Sequence, residues 1–153
     1  MRSPKQWLRP LTLTDLPAAL ETEAACYPEP WSRNTFVECL EANSKGYHCV
    51  ALMLGELLAG HCIFTLIIDE AELLNFCLAP AHQGQGLAKP FLDQVLADMA
   101  EQGAATIFLE VRESNAPARQ LYQSVGLLQV SVRKNYYPAL EGREDAILMS
   151  RQL

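Results

Sequence analysis

From Glu72 to Leu96 the chain reads ELLNFCLAPAHQGQGLAKPFLDQVL: an apolar run that stops at Pro80, a turn with two glycines, then a helical pattern. What precedes this unit narrows the fold. Tyr47–Leu54 and Leu57–Ile68 are β-rich runs joined at Gly55-Glu56, the chemistry of a tight hairpin, and Asp69-Glu70 turns the chain into a third run, Ala71–Leu78. Strands on such short turns form an antiparallel meander. The helix after the glycines then leads to another strand, Thr106–Val111. The expectation is an α/β chain with a mixed, mainly antiparallel sheet. The turn Gln83-Gly84-Gln85-Gly86-Leu87-Ala88 also makes an anion site. First-turn N–H groups lack intrahelical partners, the helix dipole is positive there, and glycine lets a phosphate approach the backbone.

The other elements follow from periodicity and caps. Leu87, Phe91, Leu92, Val95, Leu96 and Met99 form the apolar stripe of a helix over Gly86 to Gln102, ended by Gly103. Trp7 to Leu13 reads as a first strand, made an edge by Pro10. Thr14 is the expected cap of a helix over Asp15–Cys26, and Ser32 that of a second from Arg33 to Ala42. A helix over Ala116 to Ser124 ends at Gly126, and Leu127–Arg133 and Ala146–Arg151 read as closing strands around a loop, Asn135–Asp145. No repeat or linker divides the 153 residues, so they are read as a single domain.

Composition excludes several classes. A net charge of −6 weighs against a nucleic-acid surface and leaves a basic peptide as a suitable partner. The N-terminal MRSPKQWLRP has no apolar leader, and the apolar stretch Cys49 to Ile68 is broken by Gly55, Glu56, Gly60 and His61. No membrane association is therefore expected, and the chain reads as cytoplasmic. The five cysteines form no CxxC pair and read as buried, reduced thiols; with the three histidines they show no metal-ligand spacing.

Two phosphate ligands fit the turn. A dinucleotide fold would use Gly84-x-Gly86 with Glu110 as the ribose-binding acid, but Lys89 occupies the third glycine position and the hairpins contradict a parallel nucleotide-binding sheet. Acyl-CoA fits better: the turn suits its pyrophosphate, and an open edge at Leu74–Leu78 suits the amides of its pantetheine arm. Here the residues resemble a family. Gln83-x-x-Gly86-x-Ala88, the strand Phe108-Leu109-Glu110-Val111-Arg112, Ser114-Asn115-x-x-Ala118-x-x-Leu121-Tyr122, Asn135-Tyr136-Tyr137-Pro138 and Gly142-Arg143-Glu144-Asp145-Ala146 occur in that order. The set resembles the GNAT N-acetyltransferases, and within them the ribosomal-protein-alanine N-acetyltransferases of the RimI type. Gly84 stands where the family commonly has Arg, with Lys89 as a partial substitute, and Ala79 replaces a frequent Asp.

The resemblance implies a GNAT fold with two splayed strands, near Leu78 and Glu110, and flanking helices. It implies acetyl-CoA as cosubstrate and no metal. The acceptor would be a protein N-terminal amine, most of all the N-terminal alanine of a small-subunit ribosomal protein; a lysine or small-molecule amine is the alternative, or a silent CoA-binding module. Glu110 in an apolar strand is the candidate base, against a solvent-facing carboxylate paired with Arg112. Tyr122 is the candidate acid, against a core tyrosine. The cofactor set comprises Phe76, Cys77, Leu78, Gln83, Gly84, Gln85, Gly86, Leu87, Ala88, Lys89 and Asn115, the last also a candidate helix cap. Tyr136 and Tyr137 would shape the acceptor groove, with Glu70, Glu141, Glu144 and Asp145 suited to a basic peptide. No cysteine is placed for a covalent intermediate, so direct transfer is expected, and a monomer is favoured.

Overall fold

In the computed structural model, which describes residues 7–153, the elements run β1 (Leu8–Pro10), α1 (Leu16–Cys26), α2 (Arg33–Glu41), β2 (Tyr47–Leu54), β3 (Leu57–Ile67), β4 (Glu70–Leu78), α3 (Ala88–Glu101), β5 (Thr106–Arg112), α4 (Ala116–Ser124), β6 (Leu128–Ala139) and β7 (Gly142–Gln152). The N-terminal stretch read as lacking an apolar leader falls, for residues 1–6, outside the described residues. Seven strands form one sheet in the order β1-β2-β3-β4-β5-β7-β6. Every neighbouring pair is antiparallel except β4 and β5.

The helices cover both faces. Phe91, Leu92, Val95 and Met99 of α3 pack with Ile107 and Leu109 of β5 and Tyr122 of α4 in one core. Leu16 and Ala19 of α1 and Phe36 of α2 pack with Ala51, Met53 and Ile63 in a second. Thr14 is not the cap of α1. A 3-10 turn, Leu13–Asp15, comes first, and Thr12 forms a capping box with Asp15, whose Oδ2 accepts from the Thr12 N–H at 2.8 Å. Ser32 caps α2 as expected, accepting from the Thr35 N–H.

Two irregularities shape the site. Ile63 lies opposite Asn75 but Phe64 lies opposite Leu73, so Leu74 is an extra residue in β4. The bulge flips the parity of the strand: Leu73, Phe76 and Leu78 point into the core beneath α3, whereas Leu74 and Asn75 both turn toward α1 and α2. The second irregularity corrects the expected loop Asn135–Asp145. Strands β6 and β7 continue to Ala139 and Gly142. Arg133 pairs with Ala146 and Tyr137 with Glu144, leaving extra residues on β6 with Asn135 at φ 53°. The polar residues that suggested a loop hold this bulge: Asp145 Oδ1 accepts from the Asn135 N–H at 2.9 Å, and Arg143 donates to the carbonyls of Asn135 and Tyr136.

The reading of every cysteine as a free thiol is also corrected. Cys26 and Cys77 form a disulfide, because the last turn of α1 sits on β4 with the two Cα atoms 6.4 Å apart. Cys39 and Cys62 are free and buried, and Cys49 is free and half-buried. Among the described residues no helix is long and apolar enough to cross a membrane.

Candidate active site

The site begins where two parallel strands part. Pairing of β4 with β5 covers only Glu70–Glu72 against Thr106–Phe108. Beyond Glu72 the strands diverge into a cavity of about 770 Å³, bordered by Leu78 and Gln83 on one side and by Glu110 and Tyr122 on the other. The expected splay between Leu78 and Glu110 is thus present. Along β4 the backbone groups alternate. The Ala79 N–H donates to the Ala59 carbonyl at 2.8 Å, so Cys77 and Ala79 face β3 while Phe76 and Leu78 face the opening. Their carbonyls have partners: the Tyr27 hydroxyl donates to Phe76 O at 2.7 Å and Gln83 Nε2 donates to Leu78 O at 2.8 Å. Their N–H groups point into the same opening, where β5 has already diverged.

A short 3-10 turn, Pro80–His82, leads from β4 to the glycine turn. Gly84 and Gly86 have φ of 72° and 73°, and a Cβ added at either would meet nothing within 4 Å, which leaves open space for a ligand at the backbone. The helix starts at Ala88 rather than Gly86, with Leu87 as its N-cap. Pro90, third in α3, supplies no N–H, so the free first-turn donors are those of Ala88 and Lys89. The Lys89 ammonium lies 3.2 Å from Asp93, an exposed and labile pair, and Lys89 also borders the cavity. Gln85 donates to the Ala81 carbonyl and stiffens the turn.

Across the opening, β5 alternates. Ile107, Leu109 and Val111 are buried beneath the helices, and Glu110 and Arg112 point the other way, half-buried. Glu110 does not pair with Arg112. Its Oε1 lies 3.0 Å from Arg133, and its Oε2 is buried without a hydrogen-bond partner among the described residues. Arg112 is occupied by the carbonyl of Pro138 at 2.8 Å and by Glu144 at 2.9 Å, and it lies 4.5 Å above the Tyr137 ring. Tyr122 belongs to the core beneath α3, at 8% exposure, and borders the cavity. Burial, reinforced by Tyr27, pushes its phenol above the usual range, so the hydroxyl keeps its proton at working pH.

Asn115 is the N-cap of α4, its Oδ1 accepting from the Ala118 N–H at 3.3 Å, and it also borders the cavity. Tyr137 lines the cavity, whereas Tyr136 lies outside it with Arg133 4.8 Å above its ring. Two acids read as suiting a basic peptide are engaged within the chain. Glu144 accepts from Arg112 and the Ser114 N–H, and Asp145 pairs with Lys134 and Asn135. Glu70 lies at the opposite end of β4.

Sequence reasoning did not find Glu23, Tyr27, His61 or Arg133. Glu23 of α1 is 1% exposed and its carboxylate accepts from three groups: the Trp31 N–H at 3.0 Å, Asn75 Nδ2 at 2.9 Å and His61 Nε2 at 3.0 Å. Its position in a helix of low amphipathicity gave no signal. Glu23, His61 and Cys77 also bring potential metal-ligating atoms within 4.8 Å of one another, but the Cys77 sulfur is bonded to Cys26 and the Glu23 oxygens are already engaged. Burial pushes the Cys49 thiol up to about 12 and Cys62 higher still, so neither offers a thiolate.

A splayed parallel pair, a glycine turn at a helix start, and a carboxylate and a phenol thus border one cavity. Residues 16–127 match the acetyltransferase (GNAT) family, and the chain belongs to that family. It is an acyltransferase fold whose donor is acetyl-CoA. A protein of Escherichia coli K12 named [ribosomal protein bS18]-alanine N-acetyltransferase is 39% identical over 92% of this chain and 93% of its own length. A Bacillus subtilis protein with the same name marked putative is 32% identical over 95% and 94%. The crystal structure of the ribosomal-protein-S18-alanine N-acetyltransferase from Escherichia coli superposes with a TM-score of 0.85, covering 95% of this chain and 92% of that one.

Proposed function

We propose that this chain transfers the acetyl group of acetyl-CoA to the N-terminal α-amine of a protein, most of all the N-terminal alanine of a small-subunit ribosomal protein, by direct attack in a ternary complex. The observation that carries the chemistry is Glu110 Oε2, buried and unpartnered on the cavity that Tyr122 also borders. The names of the relatives at 32–39% identity support the acceptor. Residues 1–153 act as one N-acetyltransferase domain, read as a cytoplasmic monomer.

Acetyl-CoA supplies an activated thioester. The turn Gln83–Lys89 takes its diphosphate: Gly84 and Gly86 leave the backbone bare, Ala88 and Lys89 contribute helix-start N–H groups, and Gln85 and Leu87 hold the turn and the cap. The N–H groups of Phe76 and Leu78 serve the pantetheine arm and the thioester carbonyl, and Cys77, its backbone turned to β3, only spaces the two. Asn115 spends its oxygen on the cap, which leaves its amide nitrogen for the arm. Glu110 accepts a proton from the incoming ammonium, an undemanding task because an α-amine has a pKa of about 7.7–8.0 against about 10.4 for lysine. Tyr122, holding its proton, hydrogen-bonds the departing sulfur; the proton it passes to the thiolate is replaced by the one the acetylated nitrogen loses on becoming an amide. Tyr137 borders the acceptor's path, and Tyr136 stands at its mouth. A charge of −6 suits a basic acceptor rather than nucleic acid or an anionic membrane.

Glu110→Gln and Tyr122→Phe should each lower kcat by roughly 10²–10⁴ while leaving acetyl-CoA binding intact. Near-normal turnover in both removes these roles. Peptides with free and blocked N termini test the acceptor: turnover that survives blocking excludes the α-amine.

A further inference from the structure

The two oxygens of Glu110 have unequal surroundings. Oε1 is held by Arg133 at 3.0 Å, and Oε2 is buried and unpartnered. Arg133 comes from β6, with β7 between it and β5. The residue it crosses is Ala146, register partner of both Arg133 and Arg112, and a methyl group leaves the way open for a long side chain. The guanidinium is steadied 4.8 Å above the Tyr136 ring, and the bulge after Arg133, with Asn135 in the left-handed region, sets where Tyr136 stands.

The neighbouring cations are committed elsewhere. Lys134 pairs with Asp145 at 3.3 Å, and Arg112 pairs with Glu144 at 2.9 Å. Among the described residues Arg133 is thus the cation for Glu110. The other groups near that carboxyl are Glu72 from β4 and Tyr137 from β6; its partner on β7, Leu148, carries no charge. On α1, Glu23 is bound by His61 and Asn75, and Tyr27, just past its end, is bonded to Phe76 O. Burial and the nearby Glu110 raise the Glu72 carboxyl, as expected of an acid that shares its surroundings with a second carboxylate.

We propose that Arg133 is a positioning residue for acetyl transfer: it fixes Glu110 Oε1, so that Oε2 is the oxygen presented to the acceptor amine, and it offsets the repulsion between Glu110 and Glu72. The proposal rests on Glu110 as the base. A guanidinium suits the task because it stacks on the tyrosine and keeps its charge at every working pH. Because Arg133 is 59% exposed in its side chain, removing it does not open the core.

The experiment measures kcat/KM from pH 5.5 to 9.5 for the wild type, Arg133→Met and Arg133→Lys, using acetyl-CoA and a peptide with a free N-terminal alanine. Loss of a nearby cation makes a carboxylate easier to protonate, so the acid limb of Arg133→Met should move to higher pH. Arg133→Lys should restore most of that shift. The KM for acetyl-CoA should stay within about twofold, because the glycine turn lies on the far side of the cavity. In the ligand-free protein the carboxyl carbon resonance of Glu110 should show the same displacement with no acceptor present. A limb and resonance that superimpose on the wild type overturn the proposal, as does a shift matched by a rise in the acetyl-CoA KM. Glu110→Gln keeps the two readings apart. If it retains turnover, the assignment of the base fails; if it is inactive while Arg133→Met leaves limb and resonance unmoved, only the role of Arg133 fails.

Discussion

Replacing Glu23 by Ala should destabilise the protein and weaken donor binding together. Its carboxylate, 1% exposed, satisfies the Trp31 N–H, Asn75 Nδ2 and His61 Nε2, all at 2.9–3.0 Å. A buried donor left unsatisfied costs about 1–3 kcal/mol. Trp31 and Asn75 border the cavity, so water can reach them in part, and the lower end applies to those two. His61 is 0% exposed and carries the larger penalty. The sum is about 3–5 kcal/mol. With an m-value of about 2 kcal/mol/M, that lowers the urea midpoint by about 1.5–2.5 M at unchanged slope. The functional consequence comes through Asn75, which stands beside the Leu74 bulge that aims Phe76 and Leu78. Loosening it should raise the KM for acetyl-CoA several-fold. Asn75→Ala combined with Glu23→Ala should be sub-additive by about 1–2 kcal/mol. A midpoint within 0.3 M of the wild type, roughly 0.6 kcal/mol, would refute the reasoning.

Three further outcomes follow from the geometry. At Gly60 a Cβ would collide with the Cys77 carbonyl on β4, so Gly60→Ala should shift the donor strand, cost about 1–3 kcal/mol and raise the KM for acetyl-CoA while leaving the KM for peptide nearly constant; steady-state kinetics check this. The Cys26–Cys77 bond closes a separation of 51 residues, so Cys26→Ser, or reduction, should lower stability by up to about 4 kcal/mol, measured by urea unfolding with and without reductant. Arg9, first by hydrogen bonding, holds the Asp15 carboxyl down at about 2 against an ordinary 3.8. The stability this contributes is present above about pH 4 and lost as pH falls toward 2. Discounted for solvent, it is about 1 kcal/mol, and Asp15→Asn should flatten the acid limb of the melting curve by that amount.

Much of the site was legible because its parts are local. Gln83–Ala88 announces itself through glycines between a strand and a helix, Ser32 and Asn115 through capping chemistry, and the antiparallel meander through two-residue turns. Glu110 stands out as a carboxylate in an apolar run. Hairpin reasoning stopped short on β6 and β7, because the polar residues Asn135, Arg143 and Asp145 look like a loop until their bonds across the bulge are known. The alternation does break at the bulge, where Leu73 and Leu74 stand together between Glu72 and Asn75, but the apolar run Phe76-Cys77-Leu78 that follows masks it.

Local chemistry along the chain determined the element types, the order of hairpins and crossover, and the bare-backbone turn, since caps, turns and periodicity act within a few residues. Tertiary structure alone decided which charges meet. Arg133 lies 23 positions from Glu110 and Glu23 lies 52 from Asn75. Such pairings depend on which faces of the folded sheet and helices are brought together, and a buried charge takes whichever partner that packing places within about 3 Å.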